Sequence, residues 1–180
     1  MKETEVKILE IDRKKIEETL IGKDAKKIFD GDIRTLFFDF KDGRIVKAKD
    51  VLRLRKEEDK IELTYKKVHF TQTTKTAEEY SIEVSNLEMM RKILENLGLS
   101  VTESMEKHRV SYTLDHARFD IDRYFGSYDF IPEFMEIEAE NTSAIYKYAA
   151  LLGFQKEECL PWSTAELIQH YSRSKGKNGN

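Results

Sequence analysis

Charged side chains recur at every second position in seven short stretches of this 180-residue chain. Glu3, Glu5 and Lys7 alternate with Thr4, Val6 and Ile8, and Arg53 and Arg55 alternate with Leu52 and Leu54. Glu62, Thr64 and Lys66 oppose Ile61, Leu63 and Tyr65, while Glu79, Ser81 and Glu83 oppose Tyr80, Ile82 and Val84. Lys107, Arg109 and Ser111 share one parity, as do Arg118, Asp120 and Asp122, and Glu136 and Glu138 stand against Met135 and Ile137. Successive side chains of an extended strand point to opposite faces, so each stretch has a charged face and an apolar one. Guanidinium and ammonium groups grip phosphate oxygens, and carboxylates hold hard divalent ions such as Mg2+ or Mn2+. Gathered in one place, these residues would suit a polyphosphate carried with such an ion.

The elements that must position them can be read from period and punctuation. Between the first strand and a second one over 33–40 lies a short helix, capped by Asp12, with Ile16, Leu20 and Ile21 at helical spacing and Gly22 at its end. A glycine turn at Lys41 to Arg44 leads to strands over 51–56 and 61–67. The polar, threonine-rich segment from Val68 to Ala77 reads as a loop, and a fifth strand runs over 78–84. Ser85 to Glu88 is a capping box that opens a helix with Leu87, Met90, Ile93, Leu94 and Leu97 on one side and Gly98 at its end. Strands over 103–113 and 118–122 form a hairpin through Asp115 and His116. A strand over 134–140, a helix over 142–152 stopped by Gly153, and a helix from Ser163 to near Tyr171 complete the chain.

A flat sheet would expose the charged faces to water, where ion pairs contribute ~0 to 1 kcal/mol each. The helices argue otherwise, because each needs an apolar surface to cover and only the apolar strand faces provide one. The predicted fold is therefore α+β: a closed eight-stranded antiparallel β-barrel with a charged interior and helices packed outside. Enclosing so many charges is costly even when they pair, so a ligand is implied.

Composition sets the frame. The 31 basic and 34 acidic residues leave a formal net charge of −3, which argues against a surface built for nucleic acid. A lone Cys159 excludes a disulfide within the chain and suits a reducing, cytoplasmic compartment. No apolar stretch approaches the ~20 residues of a membrane helix, and none follows Lys2 and Glu3 as in a signal peptide. One domain over 1–173 with a disordered tail at 174–180 is the simplest organisation. The four histidines lack metal-pair spacing, and His108 falls on the opposite face from Lys107 and Arg109.

The ordered set Glu3-Thr4-Glu5-Val6-Lys7, Leu52-Arg53-Leu54-Arg55, Leu63-Thr64-Tyr65-Lys66, Glu78-Glu79-Tyr80, Lys107-His108-Arg109, Asp120-Ile121-Asp122 and Glu136-Ile137-Glu138 resembles the CYTH domain family. These triphosphate tunnel metalloenzymes include class IV adenylyl cyclases, thiamine triphosphatases and inorganic tripolyphosphatases. The resemblance implies that Lys7, Arg53, Arg55, Lys66, Lys107 and Arg109 bind the triphosphate. It implies metal binding by Glu3, Glu5, Glu136 and Glu138 with Asp122, the choice between Asp120 and Asp122 staying open. Two departures stand out. Ala77 occupies a position where family members often carry arginine, and the link from Asp122 to Glu136 is long.

The expected activity is metal-dependent hydrolysis of a linear triphosphate: tripolyphosphate, a nucleoside triphosphate or thiamine triphosphate. Mg2+ or Mn2+ is the expected cofactor and Lys66 a catalytic cation, with either a second ion or a carboxylate such as Glu79 or Glu83 orienting water. A cyclase making cyclic AMP and pyrophosphate from ATP is the alternative, and a non-catalytic polyphosphate-binding module a third reading. An outward apolar seam would allow two copies to pair as a homodimer.

Overall fold

The computed structural model of the protein describes residues 4–70 and 75–175. Eight strands and five helices form among them. In chain order these are β1 (Thr4–Ile8), α1 (Arg13–Ile21), β2 (Lys26–Phe40), α2 (Arg44–Lys47), β3 (Val51–Glu57), β4 (Lys60–Phe70), β5 (Lys75–Glu83) and α3 (Leu87–Asn96). They continue with β6 (Leu99–Leu114), β7 (Ala117–Tyr124), β8 (Phe134–Ala139), α4 (Thr142–Leu151) and α5 (Thr164–Lys175). The strands make one eight-stranded sheet in the order β1-β8-β7-β6-β2-β3-β4-β5. The α+β class and the eight strands agree with the sequence reading. The ladders of β1 with β8, β8 with β7, β7 with β6, β2 with β3, β3 with β4 and β4 with β5 are all antiparallel. Among the described residues β1 and β5 stand at the two ends of this order, with no ladder joining them.

Two compact units divide the chain: Met1–Gly31 with Lys107–Asn180, and Asp32–Glu106. In the first, Val6, Ile8, Val110, Phe119, Ile121, Met135 and Ile137 turn to one side of their strands and pack with Ile16 and Leu20 of α1 and with Ile145, Tyr148 and Ala149 of α4. The helices thus cover the apolar strand faces and leave the charged faces on the other side. Asp12 starts α1 by accepting from the Lys15 amide at 3.2 Å, and Asn141 starts α4 by accepting from Ala144 at 2.9 Å. Beyond α4 the backbone of Leu160 exchanges two hydrogen bonds with that of Lys7, at 2.7 and 2.9 Å, on the side of β1 away from β8. Trp162 lies 5.0 Å from the His170 ring of α5, and the buried Tyr171 donates to Glu10 at 3.0 Å. Cys159 is free and buried, and burial raises its thiol pKa.

The second unit has its own core of Leu36, Phe38, Ile45, Leu54, Ile61, Leu87, Leu94 and Leu99. Here the structure departs from sequence expectation in instructive ways. Segment 68–77 is not simply a loop: Val68 pairs with Ala77, His69 with Thr76 and Phe70 with Lys75, so β4 and β5 make a long hairpin. Its β-branched residues favour the extended chain. Only 71–74 remain of the expected loop, and they lie outside the described residues. After the expected glycine turn, where Gly43 takes a left-handed φ of +69°, comes the short α2. The buried Asp39 carboxylate holds it by accepting from the Ile45 and Val46 amides, each at 3.0 Å. The cap of α3 is Asn86, which accepts from Met89 at 2.8 Å, in place of Ser85.

Candidate functional site

In the first unit, register gathers the charges into rows. Across β6, β7, β8 and β1, one row reads Thr113, Arg118, Glu138, Glu5, and the next reads Ser111, Asp120, Glu136, Lys7. A third begins Arg109, Asp122. Directly opposed residues on antiparallel strands share a face, so these side chains form one patch.

The patch is a dense ion-pair lattice. Arg109 meets Asp122 through Nε at 2.7 Å and Nη2 at 2.5 Å, Asp120 through Nη1 at 2.5 Å, and Glu136 through Nη2 at 2.6 Å. Lys107 Nζ lies 2.6 Å from Asp122 Oδ2, and Lys7 Nζ lies 2.9 Å from Glu136 and 3.1 Å from Glu5. Arg118 Nε donates to Asp120 at 2.8 Å, and its Nη2 reaches Ser111 Oγ at 3.4 Å. The Lys7, Lys107 and Arg109 side chains are 1%, 10% and 8% exposed, so solvent screens these pairs little.

Burial and charge oppose each other in setting the protonation states. Burial would raise the Glu136 pKa, but Lys107, Arg109 and Lys7 together hold it well below the usual carboxylate range. Burial lowers the Lys107 pKa, against the pull of Asp122. Burial also works to lower the pKa values of Lys7 and Arg109; Glu136 and Glu5 outweigh it at Lys7, while Asp122, Glu136 and Asp120 outweigh it at Arg109, so both are raised.

In the second unit, Arg53 pairs in register with Thr64 and Thr64 with Ser81, while Arg55 opposes Glu62 and Glu62 opposes Glu83. Glu79 meets Lys66 at 3.3 Å and Arg53 at 3.5 Å. Thr64 and Ser81 share a 3.0 Å hydrogen bond. Arg53 Nε is buried with no hydrogen-bond partner among the described residues.

With this geometry in place, comparison with known proteins is direct: the sequence model of the CYTH domain matches residues 1–149. The chain belongs to the CYTH domain family. A proposed adenylate cyclase of Methanocaldococcus jannaschii is 30% identical over 141 residues, covering 77% of each chain. Among solved structures, a Pyrococcus horikoshii protein superimposes with a TM-score of 0.73 at 24% identity, covering 93% of this chain and 99% of its own. A Hippeastrum protein described as a proposed adenylyl cyclase with a dominant triphosphatase activity gives 0.62 at 17% identity, covering 94% and 96%. These likenesses show that the fold is that of CYTH-type proteins.

The structure brings the CYTH candidates together within each unit: Glu5, Lys7, Lys107, Arg109, Asp122, Glu136 and Glu138 in the first, and Arg53, Arg55, Lys66, Glu79 and Glu83 in the second. Glu3 lies outside the described residues. Among those described, no group of three or more His, Cys, Asp or Glu is gathered to hold a metal ion. The donor chemistry nonetheless fits a hard ion. Glu5 and Glu138 oppose each other in register, and Mg2+ is commonly held by one or two carboxylates plus substrate phosphates. Asp122 differs from them: it is fully buried, with both oxygens taken by Lys107 and Arg109.

Sequence reasoning placed Arg118 and Ser111 on the charged face but gave them no role. Their parity with Asp120 and Arg109 was the available signal. His108, on the other face, contacts Asp30 at 3.1 Å. No helix of the described residues is long and apolar enough to cross a membrane.

Proposed function

We propose that this CYTH protein is a divalent-metal-dependent phosphohydrolase acting on a linear triphosphate. The observation that carries the reading is the buried lattice of Lys7, Lys107 and Arg109 with Asp120, Asp122 and Glu136, which ends on the opposed pair Glu5 and Glu138. Desolvating so many charges is a poor way to stabilise a fold. It is a good way to fix an electrostatic environment before a highly charged substrate arrives.

In hydrolysis a water oxygen bonds to the terminal phosphorus as the bridging P–O bond breaks, so tripolyphosphate yields orthophosphate and pyrophosphate. Glu5 and Glu138, joined by Glu136 where it gives up its contact with Lys7, would hold Mg2+ or Mn2+, whose charge would neutralise phosphoryl oxygens and open the phosphorus to attack. Lys7, Lys107 and Arg109 are fixed cations at that face, each held by carboxylates. The roles of Arg53, Arg55 and Lys66 as phosphate-binding cations rest on the family resemblance, and Glu79 or Glu83 orienting water is part of the proposed mechanism. The buried Arg53 Nε, a donor without an acceptor among the described residues, supports a ligand contact at that residue.

A second reading keeps the same groups and makes the ribose hydroxyl of ATP the nucleophile, giving cyclic AMP and pyrophosphate; the M. jannaschii relative favours it. Incubating purified protein with tripolyphosphate and, separately, with ATP, with Mg2+ or Mn2+, decides between them. Orthophosphate release from tripolyphosphate is expected. Cyclic AMP without orthophosphate would overturn the hydrolase, and metal-dependent binding without product would overturn both enzymes.

A further inference from the structure

The cations that the family pattern assigns to substrate in the first unit are deeply buried and matched by carboxylates. Arg118 is different, with a side chain 40% exposed against 1% for Lys7, 10% for Lys107 and 8% for Arg109. Its backbone position faces Glu138, which in turn faces Glu5. Its guanidinium is tethered along one side. Nε donates to Asp120 Oδ1 at 2.8 Å, and Nη2 reaches Ser111 Oγ at 3.4 Å. The same Asp120 accepts from Arg109 Nη1 at 2.5 Å through its other oxygen. One carboxylate therefore sets two guanidinium groups in fixed relation. A guanidinium has five N–H donors, so these tethers leave others uncommitted on an oriented, accessible fork.

We propose that Arg118 is a substrate-binding residue that grips a phosphoryl oxyanion of the bound triphosphate beside the Glu5 and Glu138 carboxylates. The assignment rests on the triphosphate reading and adds a contact to it. Asp120 and Ser111 are the positioning residues: they hold the fork so that little side-chain freedom is lost when phosphate binds. Arg118 shares its row with Glu5, itself 55% exposed, so its uncommitted donors lie on the accessible part of the charged face.

The test is calorimetric titration of the full chain with the non-hydrolysable imido analogue of tripolyphosphate in Mg2+ buffer, for wild type, Arg118→Met and Arg118→Lys, with thermal melts of each. Loss of a charge-assisted contact should weaken binding about tenfold to a hundredfold in Arg118→Met. Arg118→Lys should recover part of that loss, because it restores the charge but not the fork. It also keeps a cation beside Asp120 should the methionine variant fold poorly. In steady-state assays the expected change is a raised KM with kcat little altered. Binding by folded Arg118→Met equal to wild type would overturn the proposal while leaving the triphosphate reading intact. So would a lowered melting temperature with unchanged affinity, which marks a structural residue. Wild type that neither binds the analogue nor hydrolyses tripolyphosphate would overturn both.

Discussion

Asp122 separates the charges that hold the fold from those that are free to do chemistry. It is wholly buried between Lys107 and Arg109, so Asp122→Ala leaves two desolvated cations short of an anion. The expected loss is about 3–5 kcal/mol, read by urea denaturation. Glu5 is more than half exposed, and Glu5→Gln should change stability by less than about 0.5 kcal/mol while abolishing metal-dependent turnover. The acid limb of stability belongs to Glu136. Its folded pKa lies far below its ordinary value of 4.5, so its contribution is fully present above that pH and is lost as pH falls below it. Thermal melts should therefore drop progressively below pH 4.5, and Glu136→Gln should flatten that part of the profile. Alternation alone shows that Glu5, Asp122 and Glu136 share a charged surface. It cannot show which of them is saturated by cations, because that depends on partners 13 and 27 residues away from Arg109.

Among the elements, those with a local signal were legible and those made by pairing were not. The first six residues of β2 carry only Ile28 and Phe29 as apolar groups, so no alternation announces the strand. The outer half of the β4 and β5 hairpin looks polar for the same reason. At α3 the competition lay between neighbouring capping residues. The structure chooses Asn86, so Asn86→Ala should cost about 1 kcal/mol in chemical denaturation and Ser85→Ala far less. Helix coverage is also uneven. Ile137 is fully buried, whereas Tyr80 and Ile82 on the apolar face of β5 are 59% and 63% exposed. Ile137→Ala should therefore cost about 2–5 kcal/mol through cavity formation. Ile82→Thr should stay within about 0.5 kcal/mol, as suits a site that packs against little.

For the whole molecule, the expectation from these ion pairs is a fold independent of the proposed metal. The lattice of the first unit balances most of its own charge, so EDTA should leave the melting temperature unchanged while removing turnover, which added Mg2+ or Mn2+ then restores. A melt that collapsed in EDTA would show a structural metal. The family was legible because its charged residues lie in strands, where period 2 exposes them. Arg118 escaped assignment because its importance comes from exposure and from a shared carboxylate, neither of which is written in spacing. The paired backbones of Leu160 and Lys7 carry one more implication. An uncovered strand edge offers a template for other chains, and here the segment after α4 shields β1 at the residue whose ammonium orders Glu5 and Glu136. A chain cut short of Leu160, which loses α5 as well, should therefore scatter light as it self-associates and lose the precise placement of Lys7 in the same step, so that the segment after α4 governs solubility and competence together.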